Sequence, residues 1–271
     1  MELSCIILNQ TLTMALYMLM GYLLFKGKKI SIEGSKSLAA ILLWLVLPCV
    51  IINSFCVAPT GQKAIQLGIS AALAALALML AMAVSHILYR KSPVENFAAA
   101  FSNAGFMGIP LVRACFGDDA VFFLVGFVAL LNVLQWTYGA SVLSRGKARM
   151  GLKQILLNPI AIGLFSGIVL FATGIGAKLP SVIQNTVKGI SSLNGPLAML
   201  VLGVYLEQTD PKAMLITPRL YLLSSVRLIL IPVLTLLLLW VIPVDSTIAM
   251  TILAAACACR FQCGGLCADL W

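Results

Sequence analysis

Small and polar residues interrupt one apolar stretch in the first half of the sequence. Asn103, Gly105, Gly108 and Pro110 lie close together and directly follow Ser102. Proline lacks an amide hydrogen and clashes with the carbonyl four residues before it, and glycine weakens a helix. We therefore predict that a helix is broken between Asn103 and Pro110. In an apolar environment the exposed backbone groups of a break need polar partners, so the break indicates a site.

The helix after this break would offer an end suited to anions. In the segment Ile109–Phe116, Pro110 falls in the first turn, where proline is favoured. The unpaired amides and the positive end of the helix dipole would then point into the break and attract a carboxylate. The alternative is a kinked but continuous helix, because proline and glycine are common in membrane helices.

Three side chains elsewhere in the sequence are further candidates for the same site. Asn132 and Gln135 are three positions apart and therefore share a face of a helix. Arg227 lies within an apolar run, where it either pairs with a bound anion or extends its head group to the membrane interface. The candidate substrate-binding residues are Asn103, Gly105, Gly108, Ile109, Pro110, Asn132, Gln135 and Arg227.

The positions of the acidic residues argue against several other kinds of chemistry. The following acidic residues all fall in loops or near the ends of apolar runs: Glu2, Glu33, Glu95, Asp118, Asp119, Glu207, Asp210, Asp245 and Asp269. A cation or proton carrier usually holds a carboxylate within the membrane. The apolar runs also lack paired carboxylates, metal-ligand spacing and a nucleophile with its base. We therefore expect no enzyme, no metal and no cofactor, and an anionic or neutral substrate.

The amino-acid composition indicates the class of protein to which these residues belong. The chain has 271 residues, of which 61% are hydrophobic and 10% charged, and its mean hydropathy is +1.05. Because soluble proteins are about 25% charged, a soluble globule is excluded. The net charge of +9 comes from residues in short loops and does not indicate a nucleic-acid partner. We predict an all-α polytopic membrane protein in contact with the lipid bilayer.

Apolar runs of near-spanning length give the order of the predicted helices. A spanning helix needs about 20 residues. The runs comprise residues 5–25, 38–55, 64–89, 97–115, 120–143, 155–173, 179–206 and 220–241, and a ninth run covers 246–256. The fourth run carries the predicted break, so it would form two half-helices rather than one rod.

Basic residues in the loops predict the orientation of the chain. The loops after the first, third, fifth and seventh runs contain Lys26, Lys28, Lys29, Lys36, Arg90, Lys91, Arg145, Lys147, Arg149, Lys153, Lys212 and Arg219. The loops after the second, fourth, sixth and eighth runs contain only Lys63, Arg113 and Lys178. Cytoplasmic loops are rich in lysine and arginine. We therefore predict a multi-pass protein of the inner (plasma) membrane, with its amino terminus outside and its odd-numbered loops in the cytoplasm.

Several motifs resemble those of the auxin efflux carrier family of secondary transporters. They are NAGFMGIPL from position 103, FGDDAVFF from 116, LNVLQWTYG from 131, Leu47-Pro48, Asn158-Pro159 and the segment between Leu193 and Gly203. Together they are specific, and the resemblance covers nearly the whole chain. It is to the bacterial branch of the family, which includes permeases of malonate and other organic acids.

The resemblance implies ten spans in two inverted five-helix repeats, in an elevator-like fold shared with sodium and bile-acid symporters. In this family the fourth and ninth spans are broken and cross at the substrate site, so Asn103, Gly105, Gly108 and Pro110 map onto the first crossing motif. The first repeat then covers residues 1–143, a cytoplasmic loop covers 144–154, and a partial second repeat covers 155–256.

The tail at 257–271 departs from the family pattern. It is rich in cysteine and glycine, and three of its cysteines repeat every four residues. A zinc site is an unsuitable explanation, because so short a tail forms no independent domain. Dropping one nucleotide from the back-translated tail allows Ala-Pro-Ala-Gly-Phe-Asn-Val-Ala-Val-Tyr-Ala, which resembles a second crossing motif. We therefore hypothesise a shifted reading frame and a truncated second repeat; the alternative is a true, divergent carboxyl terminus.

These observations favour one function and leave two alternatives open. The favoured function is a carrier of small organic anions, such as malonate-like carboxylates or auxin-like acids, that works by alternating access at the broken fourth helix. A proton or sodium ion as coupling partner and a homodimer as the assembly both stay open. The alternatives are a truncated membrane protein that does not transport, and a carrier similar to the sodium and bile-acid symporters.

Overall fold

Helices make up the regular structure of the described part of the chain. The computed structural model describes residues 2–145, 157–209, 216–241 and five positions between 248 and 254. The helices are α1 (Glu2–Lys26), α2 (Ile32–Phe55), α3 (Gly61–Tyr89), α4 (Pro93–Ala100), α5 (Ile109–Phe116), α6 (Asp118–Leu143), α7 (Pro159–Thr173), α8 (Ser181–Glu207) and α9 (Pro218–Val241). No strand occurs among these residues.

Six of these helices are long and apolar enough to cross a membrane. They are α1 from Ser4, α2, α3, α6, α8 and α9, whereas α7 is apolar but has only 15 residues. The prediction of an all-α polytopic membrane protein is therefore confirmed. The fourth predicted run is divided between α4 and α5, which are both too short to span by themselves.

Polar caps explain why some helices extend beyond their apolar runs. The hydroxyl of Ser31 accepts a hydrogen bond from the amide of Gly34 at 3.0 Å, so α2 begins at Ile32 rather than at the predicted residue 38. Glu33 lies in the first turn, where a negative charge is favourable. The hydroxyl of Thr60 caps α3 in the same way.

Wide π-helical turns precede three prolines within the spans. A proline ring clashes with the carbonyl four residues earlier and leaves it without an amide donor, and a wider turn avoids both problems without ending the helix. Each turn ends two residues before the proline: Leu42–Val46 before Pro48, Ala104–Gly108 before Pro110, and Val226–Leu230 before Pro232. Proline therefore widens these helices instead of breaking them.

Packing divides the described helices into two groups. In group A, α1 lies along the second half of α8, and α7 and the first half of α8 lie against α2. In group B, α3 packs against α4, α6 and α9. The α1–α8 pair is close because a Cβ on Gly21 or on Gly203 would overlap the backbone of the other helix. Helix α5 lies at the boundary, in contact with α1 and α6.

Ion pairs place alternate loops on the same face of the bundle. Lys63, in the first turn of α3, lies 3.7 Å from Asp119 at the start of α6. Arg219, at the start of α9, forms an ion pair with Glu95 at the start of α4. The first turns of α3 and α6 therefore share one face, and the first turns of α4 and α9 share a face, as an alternating membrane topology requires.

Candidate functional site

The fourth crossing is broken at residues 101–103. Helix α4 ends at Ala100, and Phe101 is extended, with φ −110° and ψ 130°. Asn103 has φ −95° and ψ 48°, and the carbonyl of Asn103 accepts the amides of Met107 and Gly108 at 3.0 and 3.3 Å. The chain is helical again from Ala104. The amides of residues 104–106 open this helix and have no acceptor within it.

This break lies upstream of the predicted position. The prediction placed it between Asn103 and Pro110 and made Ile109 the first residue of the second half-helix. Pro110 does fall in the first turn of α5, but the amide of Ile109 donates to the carbonyl of Ala104, inside the preceding π turn. The helix end that faces the break is therefore Ala104. The predicted α-helical segment Ile109–Phe116 is therefore found as α5, but the predicted position of the break was wrong, because a π turn accommodates Pro110 and continues the helix back to Ala104.

Arg227 closes the carbonyl end of the break. Its Nη1 donates to the carbonyl of Ala99 at 3.0 Å and, less closely, to that of Ala100 at 3.4 Å. Its side chain is buried, with 4% of its surface exposed, so it does not extend to the membrane interface. A guanidinium at a helix carboxyl terminus is electrostatically favourable. The positive charge of Arg227 therefore compensates the negative carbonyl end of α4 beside the break.

Asn194 of α8 contacts the amide end of the break. Its Nδ2 donates to the carbonyl of Gly105 at 2.8 Å, and the residue is 1% exposed. The next residue, Gly195, faces the ring of Pro110, and a Cβ built there would lie 3.1 Å from the proline Cγ. The start of the second half-helix is therefore held against α8 by one hydrogen bond and one close contact.

Helix α6 runs alongside the break. A Cβ on Gly105 would lie 3.7 Å from Cγ1 of Val128, and a Cβ on Gly139 would overlap the ring of Phe97. Asn132 and Gln135 lie between Val128 and Gly139 on the same helix face, because the four positions are spaced by four, three and four residues. Both side chains are half-buried, and the amide of Asn132 donates to the carbonyl of Val128 at 2.8 Å.

Two buried oxygen atoms near the break have no hydrogen-bond partner among the described residues. They are Oγ of Ser102, in a residue that is 2% exposed, and Oδ1 of Asn194. Buried polar atoms are nearly always paired, so each such atom calls for an explanation. A polar guest in the break, or a residue outside the described ranges, would supply the partner.

Two features of the described residues contribute positive potential to the break. Arg227 and the helix start at Ala104 both contribute positive potential. Glu95 is the acidic residue closest in sequence to the break, and it is paired with Arg219. No group of three or more potential metal ligands occurs in the part of the chain that was searched.

The structure places the predicted candidate site residues at or beside the break, together with two residues that were not predicted. Asn103, Gly105, Gly108, Ile109 and Pro110 form the second side of the break, with Arg227 on the first side and Asn132 and Gln135 alongside. The candidate set did not include Ser102 or Asn194. A signal for Asn194 was present, because an asparagine followed by glycine and proline interrupts an apolar run.

A family model described as "Membrane transport protein" matches residues 6–152 and 145–269. The chain belongs to this membrane transport protein family. The family is auxin efflux carrier-like, so the resemblance found in the motifs is confirmed at this level. The second match extends into the cysteine-rich tail, which lies outside the described residues. No curated protein matches the chain.

Proposed function

We propose that this membrane transport protein is a carrier of small organic anions and that the anion binds at residues 101–106. The observation that supports the proposal is the break itself. The amides of residues 104–106 have no acceptor within their helix, and the two preceding residues are Ser102, with a buried hydroxyl, and the half-buried Asn103. Amides at a helix start bind carboxylates through hydrogen bonds and the helix dipole together.

The ligands of the anion follow from this geometry. The amides of residues 104–106 and the side chain of Asn103 donate to one carboxylate, and glycine at 105 lets a ligand approach the backbone. Asn132 and Gln135, on the face of α6 that runs alongside the break, would offer further amide groups. Arg227 contributes charge from behind the carbonyl end, since its Nη1 is engaged by α4. Malonate, with two carboxylates on one carbon, fits a site with donors on two sides.

Transport would proceed by alternating access at this site. Half-helix ends near the membrane centre are common in secondary transporters, where one helix bundle moves against another. Groups A and B are the two bundles, and α5 lies at their boundary. The loop charges favour an orientation with the amino terminus outside, and the resemblance to the bacterial branch of the family favours the inner membrane. A proton carried by the substrate or a sodium ion would provide the coupling.

Malonate counterflow in proteoliposomes tests the proposal. Vesicles loaded with unlabelled malonate take up labelled malonate without any coupling ion gradient, so a carrier gives uptake whatever its driving force. Replacing Asn103 by alanine removes a hydrogen bond to a charged ligand and should raise the half-saturation concentration about tenfold. Asn185→Ala is the matched control, because Asn185 is an exposed asparagine on α8.

Two outcomes would contradict the proposal. One is an absence of counterflow for malonate and for longer or aromatic carboxylates, when the purified chain is folded. The other is counterflow that Asn103→Ala and Asn185→Ala leave equally unaffected, because the break would then not be the place where the anion binds.

A further inference from the structure

Polar contacts between described helices of group B are frequent. Arg219 joins α9 to Ser92 and Glu95, Ser70 of α3 donates to the carbonyl of Phe123 at 2.9 Å, and Ser85 of α3 donates to Asn96 at 3.1 Å. Hydrogen bonds between helices hold a membrane bundle together. The helices of group B are therefore connected to one another by polar contacts at several positions along their length.

The Asn194 hydrogen bond differs from these contacts because it starts in group A. Asn194 lies on α8, which packs with α1 and α2, and its Nδ2 reaches the carbonyl of Gly105 across the boundary between the groups. Gly105 belongs to the first turn of the helix that faces the break. A side chain outside the fourth crossing is thus bonded to the turn that carries the amides of residues 104–106.

The other contacts of this turn are mainly apolar. Asn103 makes no side-chain capping bond to the turn, and the closest groups to a Cβ on Gly105 would be the apolar tips of Val128 and Leu47, at 3.7 and 3.8 Å. Apolar contacts are not directional, whereas a 2.8 Å hydrogen bond from a buried amide fixes both distance and angle.

We propose that Asn194 is a positioning residue of the transport site: from group A, it fixes the carbonyl of Gly105 and thereby aims the amides of residues 104–106 at the anion. This inference rests on the proposed function. Asn194 does not itself need to touch the substrate. Without its amide donor, the first turn is free to shift, and the anion has to order the turn when it binds.

Asn194→Leu removes the hydrogen-bond donor while keeping a similar side-chain volume. Two measurements on the intact chain test its effect. Hydrogen exchange, measured by mass spectrometry in lipid nanodiscs, should increase in residues 101–108 and stay unchanged in residues 93–100. Malonate titration of the unfolding temperature should require about fivefold more malonate, the equivalent of one net hydrogen bond. Asn194→Gln, which retains an amide donor, should recover part of this loss, and Asn185→Leu on the same helix should match the wild-type protein.

The results separate positioning from general packing and from failure of the proposed function. Unchanged exchange at residues 101–108 in Asn194→Leu would overturn the inference, and so would increased exchange with an unchanged malonate requirement. A lower unfolding temperature with increased exchange throughout group A would also overturn it, because Asn194 would then be a packing residue. If the wild-type chain neither binds nor transports carboxylates, the proposed function fails by itself, and the exchange data alone decide whether Asn194 orders the turn.

Discussion

Replacing Gly139 by alanine should disturb the break from the side of α6. A Cβ at this position would lie 2.5 Å from Cε2 and 2.9 Å from Cδ2 of Phe97, and 3.0 Å from Cε2 of Phe101. Carbon atoms pack best at about 3.5 to 4.0 Å. The Phe97 ring would therefore have to move by about 1 Å.

The rings have little room for this movement. Phe97 is 6% exposed, Phe101 is fully buried, and their ring centroids are 5.1 Å apart, so one ring pushes the other. Overpacking of this kind costs about 1 to 3 kcal/mol. Phe101 is also the first residue of the break, so its displacement should reach the transport site.

Gly126→Ala is the matched control for this prediction. Gly126 lies on the same helix, and a Cβ there would lie 3.9 Å from Ala71, which is an ordinary contact. Both variants gain the same helix propensity, so the difference between them isolates the overlap with the rings. For a chain of this size we expect Gly139→Ala to unfold roughly 5 °C below Gly126→Ala. Equal unfolding temperatures would refute the packing argument, and equal malonate counterflow would refute the link between Phe101 and the site.

Three other predictions test individual contacts. Ser102→Ala should change the free energy of unfolding by less than about 0.5 kcal/mol, because Oγ has no hydrogen-bond partner among the described residues. The variant should nevertheless raise the half-saturation concentration for malonate counterflow, and a large loss of stability would contradict this prediction. Arg227→Met should destabilise the chain by about 3 kcal/mol in thermal unfolding, since it removes charged donors from buried carbonyls. Arg227→Lys keeps the charge and should lose less; equal losses in the two variants would contradict a contribution from the charge itself. Arg219→Gln should lower the free energy of unfolding by at most about 1 kcal/mol, because Arg219 is exposed. A larger loss of stability that persists in high salt would contradict the assignment of a surface ion pair.

The sequence was sufficient to predict the membrane class and the existence of the break. Long apolar runs need only hydropathy and length to be recognised as helices, and α3 and α9 begin close to the runs at 64–89 and 220–241. Asn103, Gly105 and Pro110 together indicated that the fourth run is discontinuous. These are local properties, which neighbouring residues in the chain determine.

The exact position of the break and its partners depended on tertiary contacts. Pro110 was expected to end a helix, but a π turn absorbs it, and the chain becomes extended at residues 101–103, where Arg227 holds the carbonyls of α4 and Asn194 holds Gly105. Both partners are more than eighty residues away in sequence. No local pattern specifies which helix faces a given carbonyl, so a single sequence could not predict these two contacts.

The proposed frame shift concerns residues 257–271, which lie outside the described residues. We propose it as an explanation for the cysteine-rich tail, and the nucleotide sequence of the gene tests it. A family-like open frame that appears after one nucleotide is dropped supports the explanation, whereas stop codons throughout that frame would remove it.

The binding of an anion to the amides of residues 104–106 is tested most directly by hydrogen exchange of the intact chain in nanodiscs. In the absence of ligand these amides should exchange faster than those of Ile109–Phe116, and saturating malonate should slow them, whereas the neutral diamide of the same acid should not. Slow exchange of residues 104–106 in the free chain, or equal exchange with and without malonate when counterflow occurs, would contradict the account.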